Sequence, residues 1–459
     1  MNLARHSITA TNPIQIFDTR FEADCQIFTT TTPAGFAVYQ TWPLTLIRRR
    51  AEFTGGTLAA AVPCHTSSLL FLLGGGRSPL YPPNKVVVWD DAAEEEVAEL
   101  EFRERVRGLA CRRGWLAVSF RRRVVLFEVG ETIVRRNEFD TCDNPRGLLA
   151  MATGAYSTLL AFPGRQMGHV QLVHLPPCIP PTPVGPPPSV LPSRPPPPPS
   201  KHPVSIIAAH ESSLNTLTVP QSGRMLATTS SRGTLVRIWD TLSGKLIRVF
   251  RRGSDKAEIY GVAFRPDEKE VCVWSDKGTV HVFSLMSGPC NRQSSLSPLA
   301  SLIPYFDSEW SYAQYRIPAQ ASHISLSSST SSSRSPTADI TDEEKCMVGW
   351  IEAPSDRSEP GRDPPMEYQL IALTYSGGWY RLSLPLGTSN ISSPSAGGTP
   401  LSSSPPKASS HSRPRTNSVS SITSRTEKGK EKERGRDRKD NRELILQEYR
   451  KYGRWDGWG

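Results

Sequence analysis

Three observations make this an all-β chain, a seven-bladed β-propeller interrupted by disordered Pro- and Ser-rich insertions. The first is an internal repeat. Ser230-Ser231-Arg232-Gly233-Thr234-Leu235-Val236-Arg237-Ile238-Trp239 returns as Ser275-Asp276-Lys277-Gly278-Thr279-Val280-His281-Val282-Phe283. A Gly turn leading into apolar alternation reads as a hairpin entering a half-buried strand. A period of about 45 residues is that of a four-stranded propeller blade. The second is the count of one strand type. It occurs at Gly35–Tyr39, Lys85–Trp89, Arg123–Phe127, His169–Val173, Leu235–Trp239, Val280–Phe283 and Trp379–Leu382. Seven occurrences predict seven blades. The third is that the long spacings between these strands coincide with biased segments, too poor in apolar residues to offset the entropy of ordering.

In chain order, residues 1–13 read as a flexible tail and 14–386 as the propeller. The first insertion, 176–203, carries Pro195 to Pro199 and predicts an exposed polyproline-II segment. It is either an SH3-type ligand or a plain loop between two strands of blade four. The second, 319–344, is Ser-rich. The third, 387–441, mixes Ser, Pro and both charges, with Lys428-Gly429-Lys430-Glu431-Lys432-Glu433-Arg434 reading as a solvated linker or a nuclear-localisation run. Residues 442–450 are helical by propensity, yet stand where the last strand of blade seven is missing. Residues 451–459 read as a tail.

Residues 285–310 form an unusually long connection within blade six, and such connections are often functional. Apolar and aromatic side chains on a loop suit insertion into a membrane interface. Leu296, Leu299, Leu302 and Ile303 are read as inserting; Tyr305, Phe306 and Trp310 either join them or pack back on the propeller.

The chain of 459 residues has 37% apolar content, low because 41 Pro and many Ser crowd into a few segments. Its net charge of +10 suits an anionic partner or resides in the polar insertions. Eight Cys without ligand spacing indicate neither a metal nor a disulfide framework. Without an N-terminal apolar region or a long apolar run, the expectation is a cytoplasmic protein that meets membranes from outside. Neither GxSxG, HExxH nor GxxxxGK[ST] occurs, so catalysis, and with it a cofactor, finds no support. No aromatic-basic pattern points to nucleic acid.

The binding argument rests on Phe250-Arg251-Arg252-Gly253. Neighbouring strand residues point to opposite faces, so Arg251 and Arg252 should enter two different pockets, with Gly253 turning the chain at φ > 0. Each guanidinium can fork onto a phosphate. The two repeat copies supply the walls: His210, Ser230, Thr234 and Arg237 with Arg251, and Ser254, Ser275, Thr279 and His281 with Arg252. Thr234 and Arg237 share one pocket only if a β-bulge separates them. His210 either ties a loop to a strand or reaches a phosphate. Arg237, inside an apolar strand, needs Asp240 or a ligand anion. Arg48-Arg49-Arg50 and Arg121-Arg122-Arg123 read as exposed strand faces or turns.

With these residues in hand the chain resembles the PROPPIN family, the phosphoinositide-binding WD-type propellers of autophagy. The (F/L)RRG hallmark is Phe250 to Gly253. Leu72-Gly74-Gly75-Gly76, Tyr81-Pro82-Pro83-Asn84-Lys85, Val88-Trp89-Asp90-Asp91, Leu160–Gly164 and Gly168–Val173 also match, pointing to the short subgroup. The resemblance implies a non-enzymatic, monomeric effector of phosphatidylinositol 3-phosphate and 3,5-bisphosphate. It would act as a scaffold in autophagosome formation, peripheral on pre-autophagosomal, endosomal or vacuolar membranes. It further implies that the long blade-six loop enters the bilayer, that 442–450 closes blade seven, and that a bridge-like lipid-transfer protein is recruited. Of the Asn and Asp that aid this last contact in the family, Asp24 matches the Asp, and Glu22 stands where the Asn is expected. The rival reading is a WD-type scaffold that binds only proteins or acidic peptides.

Overall fold

The computed structural model describes residues 15–51, 53, 55–178, 204–286, 290–293, 308–318, 345–356, 364–385 and 443–453. Seven antiparallel sheets follow one another along the chain, spanning 18–50, 58–101, 108–140, 150–208, 214–251, 259–316 and 346–451. They are the blades of a seven-bladed β-propeller, and no helix occurs among the described residues. The seven strands of recurring type are the third strands of the blades: Gly35–Gln40, Lys85–Asp90, Arg123–Val129, His169–His174, Leu235–Asp240, Thr279–Ser284 and Gly378–Ser383. They read as nearly continuous apolar runs because both faces are covered by neighbouring blades. Val86, Val87 and Val88 are all buried in this way.

The fourth strands face solvent, and in five blades each carries one extra residue against the third strand. The break falls at an equivalent step, as at Val38/Tyr39, Val88/Trp89 and Ile238/Trp239. A bulge twists an edge and discourages pairing with another chain. The bulge expected between Thr234 and Arg237 is absent. Leu235, Val236 and Arg237 pair regularly with Arg251, Phe250 and Val249, and the extra residue lies on the outer strand instead.

Blade seven is built wholly from the end of the chain, with Ile445–Lys451 pairing antiparallel to Gly378–Ser383. Residues 445–451 are thus strand, not helix. The ring therefore closes without a strand exchanged between the two chain ends. Side chains join blade seven to blade one, in a core containing Phe28, Tyr39, Ile351, Ile371, Trp379 and Tyr452. The expectation of a tail over 451–459 fails for 451–453, and 454–459 lie outside the described residues. Tyr452 is 3% exposed, its hydroxyl donates to the Thr374 carbonyl at 2.7 Å, and its ring meets Phe28 edge-on at 5.3 Å.

Arg50 also departs from the exposed-face expectation. Arg48 and Arg49 are exposed, but Arg50 is buried between blades one and two, its Nε 2.8 Å from Asp91 and its Nη1 2.9 Å from Glu94. Arg121 and Arg122 lie exposed as expected. The expectations for 1–13, 319–344 and 387–441, and for nearly all of 176–203, lie outside the described residues.

Candidate anion-binding site

Leu246–Arg251 is the outer strand of blade five, yet its C-terminal end is buried. Two things cover it. Phe250 is fully buried and stacks on Phe283 of blade six, ring centroids 4.7 Å apart. Glu309–Trp310, the returning end of the long connection, adds a fifth strand parallel to it, pairing Phe250 with Glu309 and Arg251 with Trp310.

With Phe250 fixed toward blade six, alternation decides the rest. Phe250 shares its face with Val236, Ile238 and Ala227, all in the core between blades five and six. Arg251 lies on the other face, in line with Leu235 and one row from Arg237, which pairs with Thr228 and Val249. Continuing that register by one residue places Ser230 beside Leu235. Arg252 extends the ladder, its amide donating to the Thr234 carbonyl at 2.9 Å. Thr234 thus stands opposite Arg252 rather than on the face of Arg237.

On the blade-four side, Arg237 Nη1 donates to the Ala209 carbonyl at 2.6 Å. Its Nε is buried without a hydrogen-bond partner, and no carboxylate pairs with it among the described residues. Asp240, the alternative partner, instead accepts the Ser243 amide at 3.0 Å. His210 Nε2 lies 2.9 Å from the Thr228 hydroxyl, which also accepts Trp239 Nε1 at 2.9 Å. His210 therefore ties its loop to the strand while lying beside Arg237. Arg251 Nε donates to Ser308 Oγ at 3.0 Å, and its guanidinium lies 5.3 Å from the centre of the Trp310 ring.

On the blade-six side, Arg252 is 7% exposed. Its Nε donates to the Gly233 carbonyl at 3.3 Å and its Nη2 to the Asp255 carbonyl. Burial lowers its pKa, with Asp276 and Asp255 acting against this from nearby. It opens onto a cavity of about 190 Å³ lined also by His281, Arg292, Trp310, Ser311 and Gln314. His281 Nδ1 lies 3.1 Å from Ser311 Oγ. Thr279 shares the face of His281, though it does not line the cavity. Ser275 is fully buried and closes its turn, its carbonyl accepting the Gly278 amide at 3.0 Å. Ser254 is exposed, with Oγ 3.3 Å from an Asp255 carboxylate oxygen.

Gly253 differs from expectation, since it does not take a positive φ. A Cβ there would meet nothing within 4 Å, so the position opens onto free space. The turns that need glycine are at Gly233, φ 63°, where a Cβ would strike the Ala257 carbonyl, and Gly278, φ 65°.

The sequence reading missed Ser308, Ser311, Arg292 and Gln314. Only Trp310 carried a signal, as an aromatic residue that packs back on the propeller. Leu296, Leu299, Leu302 and Ile303 lie outside the described residues. Farther round the ring, Glu22 Oε1 accepts the Thr66 amide at 3.0 Å and lies 2.9 Å from His65 Nδ1, while Asp24 accepts the Gln26 amide.

Both site histidines are neutral at neutral pH. Burial and the adjacent Arg237 push His210 down to about 4; burial and Arg252 do the same to His281. An unfolded histidine titrates near 6.5. Below that pH the unfolded chain binds protons that these histidines refuse, so stability falls toward pH 4. The slope is at most about 1.4 kcal/mol per pH unit for each. Thermal midpoints measured from pH 7 to 4.5 should fall, and less steeply after His281→Gln. Parallel curves for the two proteins would contradict the assignment.

Comparison with known proteins agrees with this architecture. The PROPPIN family model matches residues 199–328. The chain is 31% identical over 320 residues to SVP1-like protein 2 of Pichia angusta, covering 68% of this chain and 83% of that protein. It is 30% identical over 322 residues to Autophagy-related protein 18e of Arabidopsis thaliana, covering 69% and 79%. Among solved structures it is similar in fold to Kluyveromyces lactis Hsv2, with a TM-score of 0.55 at 19% identity, covering 81% of this chain and 95% of that one.

Proposed function

The chain belongs to the PROPPIN family, and from that premise we propose that it is a non-enzymatic effector that binds phosphatidylinositol 3-phosphate, 3,5-bisphosphate, or both, on membranes. The observation that carries this reading is the pair Arg237 and Arg252. Both guanidiniums are drawn in among blades and hold only carbonyl oxygens, without a salt bridge among the described residues. Taking a cation out of water costs several kcal/mol unless an anion offsets it. A headgroup phosphate in each pocket supplies that anion. Arg237, His210, Ser230 and Arg251 frame the first pocket, and Arg252, His281 and Ser311 the second. Two moderate contacts to one fluid surface gain strongly through effective concentration.

The long blade-six connection returns to the propeller at Ser308–Ser311, where Ser308 meets Arg251 and Ser311 lines the cavity of Arg252 and His281. Insertion of its apolar residues would hold the pockets against the headgroup layer. Replacing Leu299, Leu302 and Ile303 with Asp is expected to abolish stable vesicle association and spare binding of a soluble headgroup. Each aliphatic side chain contributes about 1.5–3 kcal/mol at full burial, and less at an interface. Normal flotation of the triple variant would remove the anchor from this account.

In the cell the protein acts, on this reading, as a scaffold in autophagosome formation on pre-autophagosomal, endosomal or vacuolar membranes, as a monomer. The region of Glu22 and Asp24 contributes to recruiting a bridge-like lipid-transfer protein. Vesicle flotation across the phosphoinositide series tests the central function. Binding that requires a 3-phosphoinositide is expected. Binding to any acidic lipid, or to none, would favour a scaffold for proteins or acidic peptides.

A further inference from the structure

Two free thiols meet in the core between blades two and three. Cys64 follows the inner strand Leu58–Pro63 of blade two and opens its turn, its carbonyl accepting the Ser67 amide at 3.2 Å. Cys111 lies on Gly108–Arg112, the inner strand of blade three, two residues from Leu109 and on the same face. Cys64 and Leu109 are buried in one cluster with Val62, Val106 and Leu116, and Cys111 packs against it. The Cys111 Sγ donates to the Pro63 carbonyl at 3.3 Å, against the residue that precedes Cys64. Cys64 is buried, whereas Cys111 is half-buried and opens the pair toward solvent. Hydrogen bonding with the Cys111 thiol holds Cys64 below the usual thiol range; burial acts against this and His65 assists it. The same contact, with burial, pushes Cys111 well above that range. Cys64 is thus the thiol favoured as thiolate, and Cys111 the one that keeps its proton.

The thiolate is the form of cysteine that attacks peroxides, and a sulfenic acid beside a second thiol condenses with it. We propose that Cys64 and Cys111 form a redox-sensitive modification site, at which a hydroperoxide joins them into a reversible disulfide between blades two and three. In the first step the Cys64 thiolate attacks one oxygen of hydrogen peroxide. The O–O bond breaks, Cys64 becomes a sulfenic acid, and the departing hydroxide takes up the former thiol proton as water. In the second step the Cys111 sulfur attacks the Cys64 sulfur. The S–O bond breaks, the S–S bond forms, and the hydroxide leaves as water with the Cys111 proton. The two thiols lose two electrons and two protons, and one peroxide becomes two waters. A dithiol reductant reverses the change. The bridge pins the turn in which His65 and Thr66 hold Glu22. Neither thiol lines the cavity of Arg252, so the bridge is read out separately from headgroup binding.

The test treats the folded full chain with a small excess of hydrogen peroxide, blocks remaining thiols with N-ethylmaleimide, and maps the digested protein by mass spectrometry without reductant. Wild type is compared with Cys64→Ser and Cys111→Ser. Wild type should lose two of its eight free thiols and yield one cross-linked peptide pair, Cys64 with Cys111, which dithiothreitol separates. Cys111→Ser should form no bridge, and dimedone added with the peroxide should label Cys64 as its sulfenic acid. Cys64→Ser should leave Cys111 a free thiol. Cys111 sits at the rim of the cluster, so its variant should keep the wild-type thermal midpoint and carries the test should Cys64→Ser fail to fold. A wild type that keeps all eight thiols, bridges other cysteines instead, or oxidises Cys64 without joining it to Cys111 would overturn the proposal. Dimedone on Cys111 in Cys64→Ser, with none on Cys64 in Cys111→Ser, would overturn the assigned order of attack.

Discussion

Replacing Arg251 and Arg252 together with Ala is expected to abolish flotation on vesicles carrying a 3-phosphoinositide, whereas each single replacement reduces it only in part. The two side chains leave the strand on opposite faces. Arg251 shares a face with Arg237, and Arg252 opens onto the cavity of His281. A lost charge-assisted contact costs about 1.5–3 kcal/mol, roughly ten- to a hundredfold at its own pocket. The other pocket and the inserting loop retain the rest. Higher salt should weaken the wild type as well, because exposed phosphate contacts are screened. Thermal midpoints of the variants separate lost binding from lost fold, since Arg251 also steadies Trp310 and Ser308. A double variant that floats normally would reduce both arginines to structural groups. Single variants as defective as the double would mean one shared pocket.

Cutting the chain after Leu386 is expected to abolish cooperative folding, while deleting 388–438 alone leaves the thermal midpoint unchanged. The truncation removes Ile445–Lys451, the outer strand of blade seven, and with it Leu444 and Tyr452, each 3% exposed. No strand from the other end of the chain can replace it, because blade one uses all four of its own strands. Tyr452 carries much of this closure, since it packs on Phe28 and Tyr39 of blade one. Tyr452→Ala should cost about 3–5 kcal/mol, as other large aromatic truncations in cores do. That is a large share of a typical folding stability of about 5–15 kcal/mol, and should lower the midpoint by about 10 °C. An unchanged midpoint in the truncated chain would refute the role of this strand.

The propeller was legible because each blade repeats one local pattern, a turn followed by an apolar third strand, and such a pattern needs no knowledge of distant partners. The opposite-face placement of Arg251 and Arg252 was legible for the same reason, strand alternation being local. Other features depend on what folds back from far along the chain. The Glu309–Trp310 strand pairs with residues 250–251, and nothing within either segment announces the other. Arg50 reads as one more exposed arginine until Asp91 and Glu94 of the next blade arrive beside it. Thr234 copies Thr279 in the repeat, yet stands opposite Arg252, because the ladder runs regularly past Leu235 and Arg237 with no bulge to bring Thr234 and Arg237 onto one face. Tyr452 sits among charged and glycine residues that carry no core signature. Its burial follows from ring closure alone.

The central claim is two phosphate pockets on one rim, and stoichiometry tests it most directly. Isothermal titration of the full chain with a soluble short-chain 3-phosphoinositide should give two ligands per chain for the wild type. It should give one for Arg251→Ala and one for Arg252→Ala. A wild-type stoichiometry of one would contradict the account.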